Sequence, residues 1–153
     1  MRKIFGIGET VLDIVFRNGQ PKDGVSCRWY TTTAGILEKY DPLNHDFNLD
    51  ARLKQLLQRR KWGKWAPPGS GPMRVDFLTD NDITGGNSGS PVLNARGELI
   101  GLAFDGNKES LASDASYTPG YNKCINTDIR FVLWVLDKYA GMKWILKEME
   151  IRR

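Results

Sequence analysis

The segment Thr-Gly-Gly-Asn-Ser-Gly-Ser-Pro at residues 84–91 constrains this chain more than any other. Gly85, Gly86 and Gly89 let the backbone turn sharply and bring its N–H groups close to a bound group. They frame one hydroxyl, Ser88, with Asn87 between it and Gly86. The residues that follow, 91–105, read as a strand, a tight turn at 94–97 and a second strand. The apolar run 99–104 predicts a buried strand, and residues 73–78 predict another that leads into the loop. Two readings of the loop are open. Gly-Asn-Ser-Gly is ordinary turn composition. It is also a setting in which a hydroxyl acts as nucleophile while the N–H groups of Gly86 and Ser88 form an oxyanion hole.

With 153 residues, of which 41% are hydrophobic and 26% charged, the chain can build one globular domain with a real core. No apolar run is long enough to span a bilayer. The basic start, Arg2 and Lys3, is followed by Glu9 and Asp13 rather than an unbroken apolar stretch. It therefore predicts no signal peptide and, as written, a cytoplasmic chain. A net charge of +4 is too small by itself to imply a nucleic-acid partner. The two cysteines, Cys27 and Cys124, match no metal spacing. They either pair in an oxidising compartment or remain two isolated buried thiols. Gly6 and Gly8 lack the third glycine and helix of a dinucleotide fingerprint. The single histidine, His45, limits the proton-transfer chemistry available.

Elsewhere the pattern predicts two strands within 3–16, with a turn at Asn18-Gly19, and a β-rich stretch at 29–33. Asp41-Pro42 ends any helix that the following residues start. A helix is predicted over 50–61, with Asp50 as N-cap and Leu53, Leu56 and Leu57 as its apolar stripe. Its other face is basic: Arg52, Lys54, Arg59 and Arg60, with Lys61 and Lys64 beyond and Trp62 and Trp65 nearby. Such a face is either solvated or a surface for nucleic acid or membrane. Residues 66–72 read as a loop, 108–122 as a long polar excursion, and 124–129 as a strand. A helix follows from Arg130, carrying Phe131, Leu133, Trp134, Leu136 and Tyr139, with Gly141 as its stop and a second helix over 142–151.

Residues 79–94, with Asp82-Ile83-Thr84-Gly85-Gly86-Asn87-Ser88-Gly89-Ser90-Pro91 at their centre, and residues 97–107, with Leu99-Ile100-Gly101-Leu102-Ala103-Phe104-Asp105-Gly106, carry a resemblance. It continues through 30–42 and through Cys124-Ile125-Asn126-Thr127-Asp128-Ile129-Arg130. Over about residues 22–150 the chain resembles the C-terminal part of bacterial serine dipeptidyl-peptidases. These have a chymotrypsin-type double barrel with a helical insertion and release dipeptides from free N-termini. The resemblance implies a mainly β fold with C-terminal helices, an incomplete chymotrypsin-like second barrel. It implies Ser88 as nucleophile and the N–H groups of Gly86 and Ser88 as oxyanion donors. Gly106 would line the S1 pocket, with Phe104 and Asp105 beside it in substrate binding. Members that prefer acidic P1 residues carry arginine at the place of Gly106, so glycine implies a hydrophobic P1. Asp82 falls by count where a trypsin-like S1 carboxylate would lie, and its expected role is to cap the loop.

The implied partner is a peptide with a free N-terminus, with no nucleic acid, no membrane span, no metal and no organic cofactor. The family's location would be the periplasm or cell surface. The family's catalytic histidine and aspartate come from the N-terminal barrel, which this sequence lacks. His45, in Asp-Pro-Leu-Asn-His-Asp-Phe, lies outside the family's histidine motif and is expected on a surface loop. The chain is therefore expected to be inactive alone. The alternative is a non-catalytic peptide-binding or interaction module that self-associates through an exposed half-barrel face.

Residues 2–20 resemble the opening of a ribokinase-like sugar kinase, in which an aspartate at the place of Asp13 contacts sugar hydroxyls. The kinase's nucleotide site and base are missing. The expected organisation is thus a foreign segment, 1–21, joined to a peptidase segment, 22–153.

Overall fold

The computed structural model describes residues 29–66, 69–107, 110 and 122–151. The strands expected within 3–16, the turn at 18–19, the kinase-like start, Cys27 and most of the 108–122 excursion lie outside the described residues. Among the described residues five strands form one sheet: β1 (Tyr30–Thr32), β2 (Arg74–Thr79), β3 (Pro91–Leu93), β4 (Leu99–Gly106) and β5 (Cys124–Asp128). Their order is β1-β2-β5-β4-β3, and β2–β5, β5–β4 and β4–β3 all pair antiparallel. The order is open, with β1 and β3 at its edges. This is the mainly antiparallel β architecture with C-terminal helices, an incomplete barrel, that the resemblance implied.

Two compact units make up the chain. One runs through Thr31 and then Asp76–Ile129. Strict alternation in β2 and β5 buries Phe77 and Thr79 from the first strand and Cys124, Asn126 and Asp128 from the second. The buried polar groups are satisfied where they sit. The Asn126 amide donates to Thr79 Oγ1 at 2.8 Å and to the carbonyls of Phe77 and Cys124, and its oxygen accepts from Cys124 Sγ at 3.0 Å. An unpartnered amide there would cost about 1–3 kcal/mol, so this network holds the sheet in one register.

The apolar run 99–104 is only half buried, which corrects the expectation of a fully buried strand. Gly101 and Ala103 face the core, whereas Leu99 is 42% and Phe104 58% exposed. A Cβ on Gly101 would lie 2.8 Å from the Phe77 ring and 2.8 Å from the Thr127 carbonyl. Gly101 therefore has no room for a side chain, Ile100 packs half-buried against the core, and the exposed Leu99 and Phe104 stand at register irregularities of the sheet. The turn at 94–97 forms as expected. Asn94 N–H donates to the Glu98 carbonyl and Gly97 N–H to that of Asn94. Asn94 Oδ1 accepts from Arg96 and Glu98 N–H at 2.9 and 3.1 Å, and Gly97 takes φ 76°.

The other unit holds Thr32–Val75 and the chain from Arg130 on. Its helices are α1 (Thr33–Glu38), α2 (Ala51–Gln58), α3 (Ile129–Trp134) and α4 (Lys143–Lys147). Asp50 caps α2 as expected, its Oδ1 accepting from Arg52 N–H at 3.0 Å and Leu53 N–H at 3.1 Å. Leu57 is buried and Leu53 and Leu56 are half-buried beside it. The helix stops before residue 61 because Arg60 adopts φ 48°. The core is aromatic, with Trp62 edge-on to Trp134 at 5.4 Å and Phe131 stacked on Trp134 at 5.7 Å. Each buried indole N–H has an acceptor: Gly71 O for Trp62, Lys61 O for Trp134 and Asp137 Oδ2 for Trp65. After α3 the chain widens into a π-turn, Val135–Tyr139, closed by Ala140 N–H to the Val135 carbonyl. The second C-terminal helix is shorter than the expected 142–151. It has no side-chain N-cap and no buried residue, so nothing offsets the cost of nucleating more turns. Three cations of the basic face sit on rings of the same unit: Lys54 on Tyr40, Lys64 on Trp65 and Arg52 on Tyr139.

Among the described residues no helix is long and apolar enough to cross a membrane, and no three potential metal ligands cluster. Cys124 is a buried free thiol. Burial pushes its pKa up, against the smaller opposing effect of hydrogen bonds from Asn81 and Thr79. The folded state therefore holds that proton more tightly than the unfolded chain does. Its contribution to stability is whole below the unfolded thiol's pKa of about 8.5 and is lost as pH rises through the folded value. Stability in urea is accordingly expected to fall more steeply with rising pH above about pH 8.5 in the parent protein than in Cys124→Ser. Urea titrations should also show Gly101→Ala costing about 1–3 kcal/mol through overpacking. Gly85→Ala, where a Cβ meets open space, should stay within about 0.5 kcal/mol.

Candidate functional site

The 84–91 loop is two consecutive turns held against β4. In the first, Asn87 N–H donates to the Thr84 carbonyl at 3.1 Å, and Asn87 Oδ1 accepts from Thr84 N–H at 2.8 Å. In the second, Ser90 N–H donates to the Asn87 carbonyl at 2.9 Å. Gly86 at φ 91° and Gly89 at φ 86° occupy backbone conformations that L side chains rarely adopt. Gly89 N–H donates to the Ala103 carbonyl at 2.7 Å, and Ala103 N–H to the Ser90 carbonyl at 2.8 Å. The loop is thereby stitched to β4 on both sides of one residue.

Strand alternation would point the next carbonyl, that of Phe104, away from the loop and toward β5. The register instead shifts between Ala103 and Asp105, leaving Phe104 as the extra residue of a bulge. Its carbonyl accepts a hydrogen bond from Ser88 Oγ at 3.2 Å. Ser88 is exposed. Among the described residues the N–H groups of Gly86 and Ser88 donate to no acceptor, so two backbone donors flank an exposed hydroxyl.

The remaining residues singled out in the sequence fall as follows. Phe104 and Asp105 are exposed on β4, and Asp105 Oδ1 accepts from Gly106 N–H at 2.8 Å. Gly106 is half-buried at the strand's end. Asp82 is exposed, and the loop cap just described comes from Asn87. His45 stands fully in solvent, its Nδ1 3.4 Å from Asp46 Oδ1, as expected of a surface-loop histidine. Sequence reasoning did not find the bulge at Phe104, for which no residue pattern signals. Nor did it find the Asn87 cap, whose signal was there: an asparagine three residues after the N–H it accepts from.

The peptidase S46 family profile matches residues 16–151 of this chain. The chain belongs to the peptidase S46 family. The dipeptidyl-peptidase 7 of Phocaeicola vulgatus is 52% identical over 131 residues, covering 86% of this chain and 18% of that protein. The Asp/Glu-specific dipeptidyl-peptidase of Porphyromonas endodontalis is 44% identical over 131 residues, again covering 86% and 18%. A crystal structure of Porphyromonas endodontalis DPP11 with the dipeptide Arg-Asp superposes with a TM-score of 0.81 at 42% identity, covering 87% of this chain and 19% of that one. The S46 chain thus spans under a fifth of the length of these relatives, and the resemblance to bacterial dipeptidyl-peptidases holds. The profile begins inside the 1–21 segment.

Two substitutions probe the loop of this S46 chain. Gly89→Ala forces a side chain into the left-handed region and is expected to cost about 1–2 kcal/mol. Asn87→Ala strands the Thr84 amide and is expected to cost about 1 kcal/mol. Equal, near-zero losses in urea titrations would mean the loop is not held as described.

Proposed function

We propose that this chain is the nucleophile-bearing part of a serine dipeptidyl-peptidase acting on peptides with a free N-terminus. In this reading Ser88 Oγ attacks the carbonyl after the second residue of the peptide. The Gly86 and Ser88 N–H groups then take the charge that develops on that oxygen, each worth about 3 kcal/mol. A histidine supplied from outside this segment accepts the Ser88 proton and returns it to the leaving amine. One observation carries the reading: two backbone N–H donors without acceptors among the described residues, on either side of Asn87, beside an exposed hydroxyl. The 21/22 boundary belongs to the same proposal and rests on the kinase-like residues 2–20 alone.

The chain is inactive by itself in this reading. The Ser88 proton points at the Phe104 carbonyl, which cannot take it up, and the one histidine is solvent-exposed beside Asp46. A serine without a positioned base is a poor nucleophile near neutral pH. Relatives named dipeptidyl-peptidase 7 and relatives named Asp/Glu-specific both match, so the names leave P1 preference to the pocket. Gly106 offers no cation for an acidic side chain, which supports an uncharged, hydrophobic P1.

The purified chain is expected to leave fluorogenic dipeptide substrates uncleaved, with Ser88→Ala no different. Supplying the N-terminal remainder of the Phocaeicola vulgatus relative is expected to restore turnover that Ser88→Ala abolishes. That turnover should favour leucine over glutamate at P1 by about tenfold or more. Ser88-dependent turnover by the chain alone would overturn the inactivity claim. Restored turnover that survives Ser88→Ala would overturn the nucleophile, and a preference for glutamate would overturn the P1 reading.

A further inference from the structure

Gly106 is not a glycine because of its backbone, since its φ lies outside the left-handed region. What a side chain there would meet is its neighbour. A Cβ built there would lie 3.0 Å from Ser110 Cβ, 3.6 Å from Ser110 Oγ and 3.9 Å from the Lys123 carbonyl. Relief would require Ser110 to move, and Ser110 is tied down. Its N–H donates to the Asn107 carbonyl at 2.8 Å, and its hydroxyl bonds Asn107 Oδ1. That same hydroxyl accepts from Lys123 N–H at 3.1 Å. Lys123 N–H also reaches Asn107 Oδ1 at 2.9 Å, and Asn107 N–H returns to the Lys123 carbonyl at 3.0 Å. The Lys123 ammonium is paired with Asp80, and its side chain is almost wholly buried. Ser110 is therefore part of a closed knot with Asn107 and Lys123.

We propose that Ser110 is a specificity-determining residue: the side chain at 110 sets how readily position 106 carries anything larger than hydrogen. This rests on the reading of position 106 as a lining of the P1 pocket. The two positions act as a pair. A cationic side chain able to meet an acidic P1 residue enters at 106 more readily when Cβ is removed at 110. The hydroxyl of Ser110 fastens the knot, whereas its Cβ crowds the side chain.

The pairing is tested on the 153-residue protein by thermal unfolding. Gly106→Ala is expected to lower Tm by about 3–8 °C in the parent background and equally in Ser110→Ala, which keeps Cβ. In Ser110→Gly it is expected to cost under about 1 °C. Equal losses in all three backgrounds would overturn the pairing. If Gly106→Ala unfolds outright, folding of Gly106→Ala/Ser110→Gly but not of Gly106→Ala/Ser110→Ala supports it, and the reverse sinks it. These melts use no substrate, so they do not depend on where the pocket lies. Calorimetric titration with the dipeptides Arg-Glu and Arg-Leu, with the N-terminal remainder of the Phocaeicola vulgatus relative supplied, then reads the pocket. Gly106→Arg/Ser110→Gly is expected to bind Arg-Glu at least tenfold more tightly than Gly106→Arg does, with Arg-Leu unchanged. Coupled melts with no such gain, or no binding by any variant, would remove position 106 from the pocket and overturn the specificity role.

Discussion

The geometry of the 84–91 loop depends on how β4 spends the backbone groups of two successive residues. Ala103 gives both its N–H and its carbonyl to the loop, at Ser90 and Gly89. A regular strand would then present the next pair to β5. The bulge at Phe104 breaks that alternation and gives the loop a third anchor, the carbonyl that receives Ser88 Oγ. Three contacts to consecutive β4 residues fix the second turn. The first turn is fixed only from within, by Asn87 and Thr84. The loop is thus rigid where it carries the hydroxyl and self-supporting where it carries the flanking amides.

That arrangement needs β4 itself to be immobile, and the sheet achieves this with polar as well as apolar means. On one side Phe77 lies against Gly101, leaving no room for a side chain. On the other, Asn126 ties β2 and β5 together through Thr79 and the Phe77 carbonyl. Apolar packing tolerates small slides, whereas a buried amide with each of its hydrogen bonds made does not, because a slide of one residue would leave donors without partners. The register of β5, and through it that of β4, is therefore pinned by a residue that reads in sequence as an ordinary strand asparagine.

Much of this was legible in the residues. Asn94 and Gly97 predict their own turn, since one supplies a side-chain acceptor and the other a positive φ. Asp50 before an i, i+3, i+4 leucine stripe predicts a capped helix, and the glycine-framed serine predicts a turn. These features share one property: the interacting groups are within a few residues of each other. What sequence could not give depends on distant partners. The need for glycine at 101 follows from the Phe77 ring more than twenty positions earlier. The bulge at Phe104 depends on a loop it meets only in the folded sheet. The early end of α2 turns on Arg60 taking φ 48°, a conformation no propensity favours for arginine. The basic face shows the same limit. Composition left it open as a partner surface, and three of its cations prove to lie on Tyr40, Trp65 and Tyr139.

The proposed chemistry divides along the same line between local and distant. The groups that would hold an anion in the proposed reading lie within residues 84–106, because backbone amides and the glycines that aim them are necessarily close in sequence. A general base has no such requirement. It must only arrive at the hydroxyl from the open side, and an imidazole from another part of a longer chain can do so. With the base absent, the hydroxyl keeps its proton on a neutral carbonyl acceptor whose protonation is far too unfavourable to generate an alkoxide. In the proposed reading the anion-binding half would be preformed while the nucleophile stays inert. Activation in the same reading would turn the Ser88 hydroxyl away from the Phe104 carbonyl and toward the arriving base. Such a rotation exchanges one hydrogen bond for another and costs little.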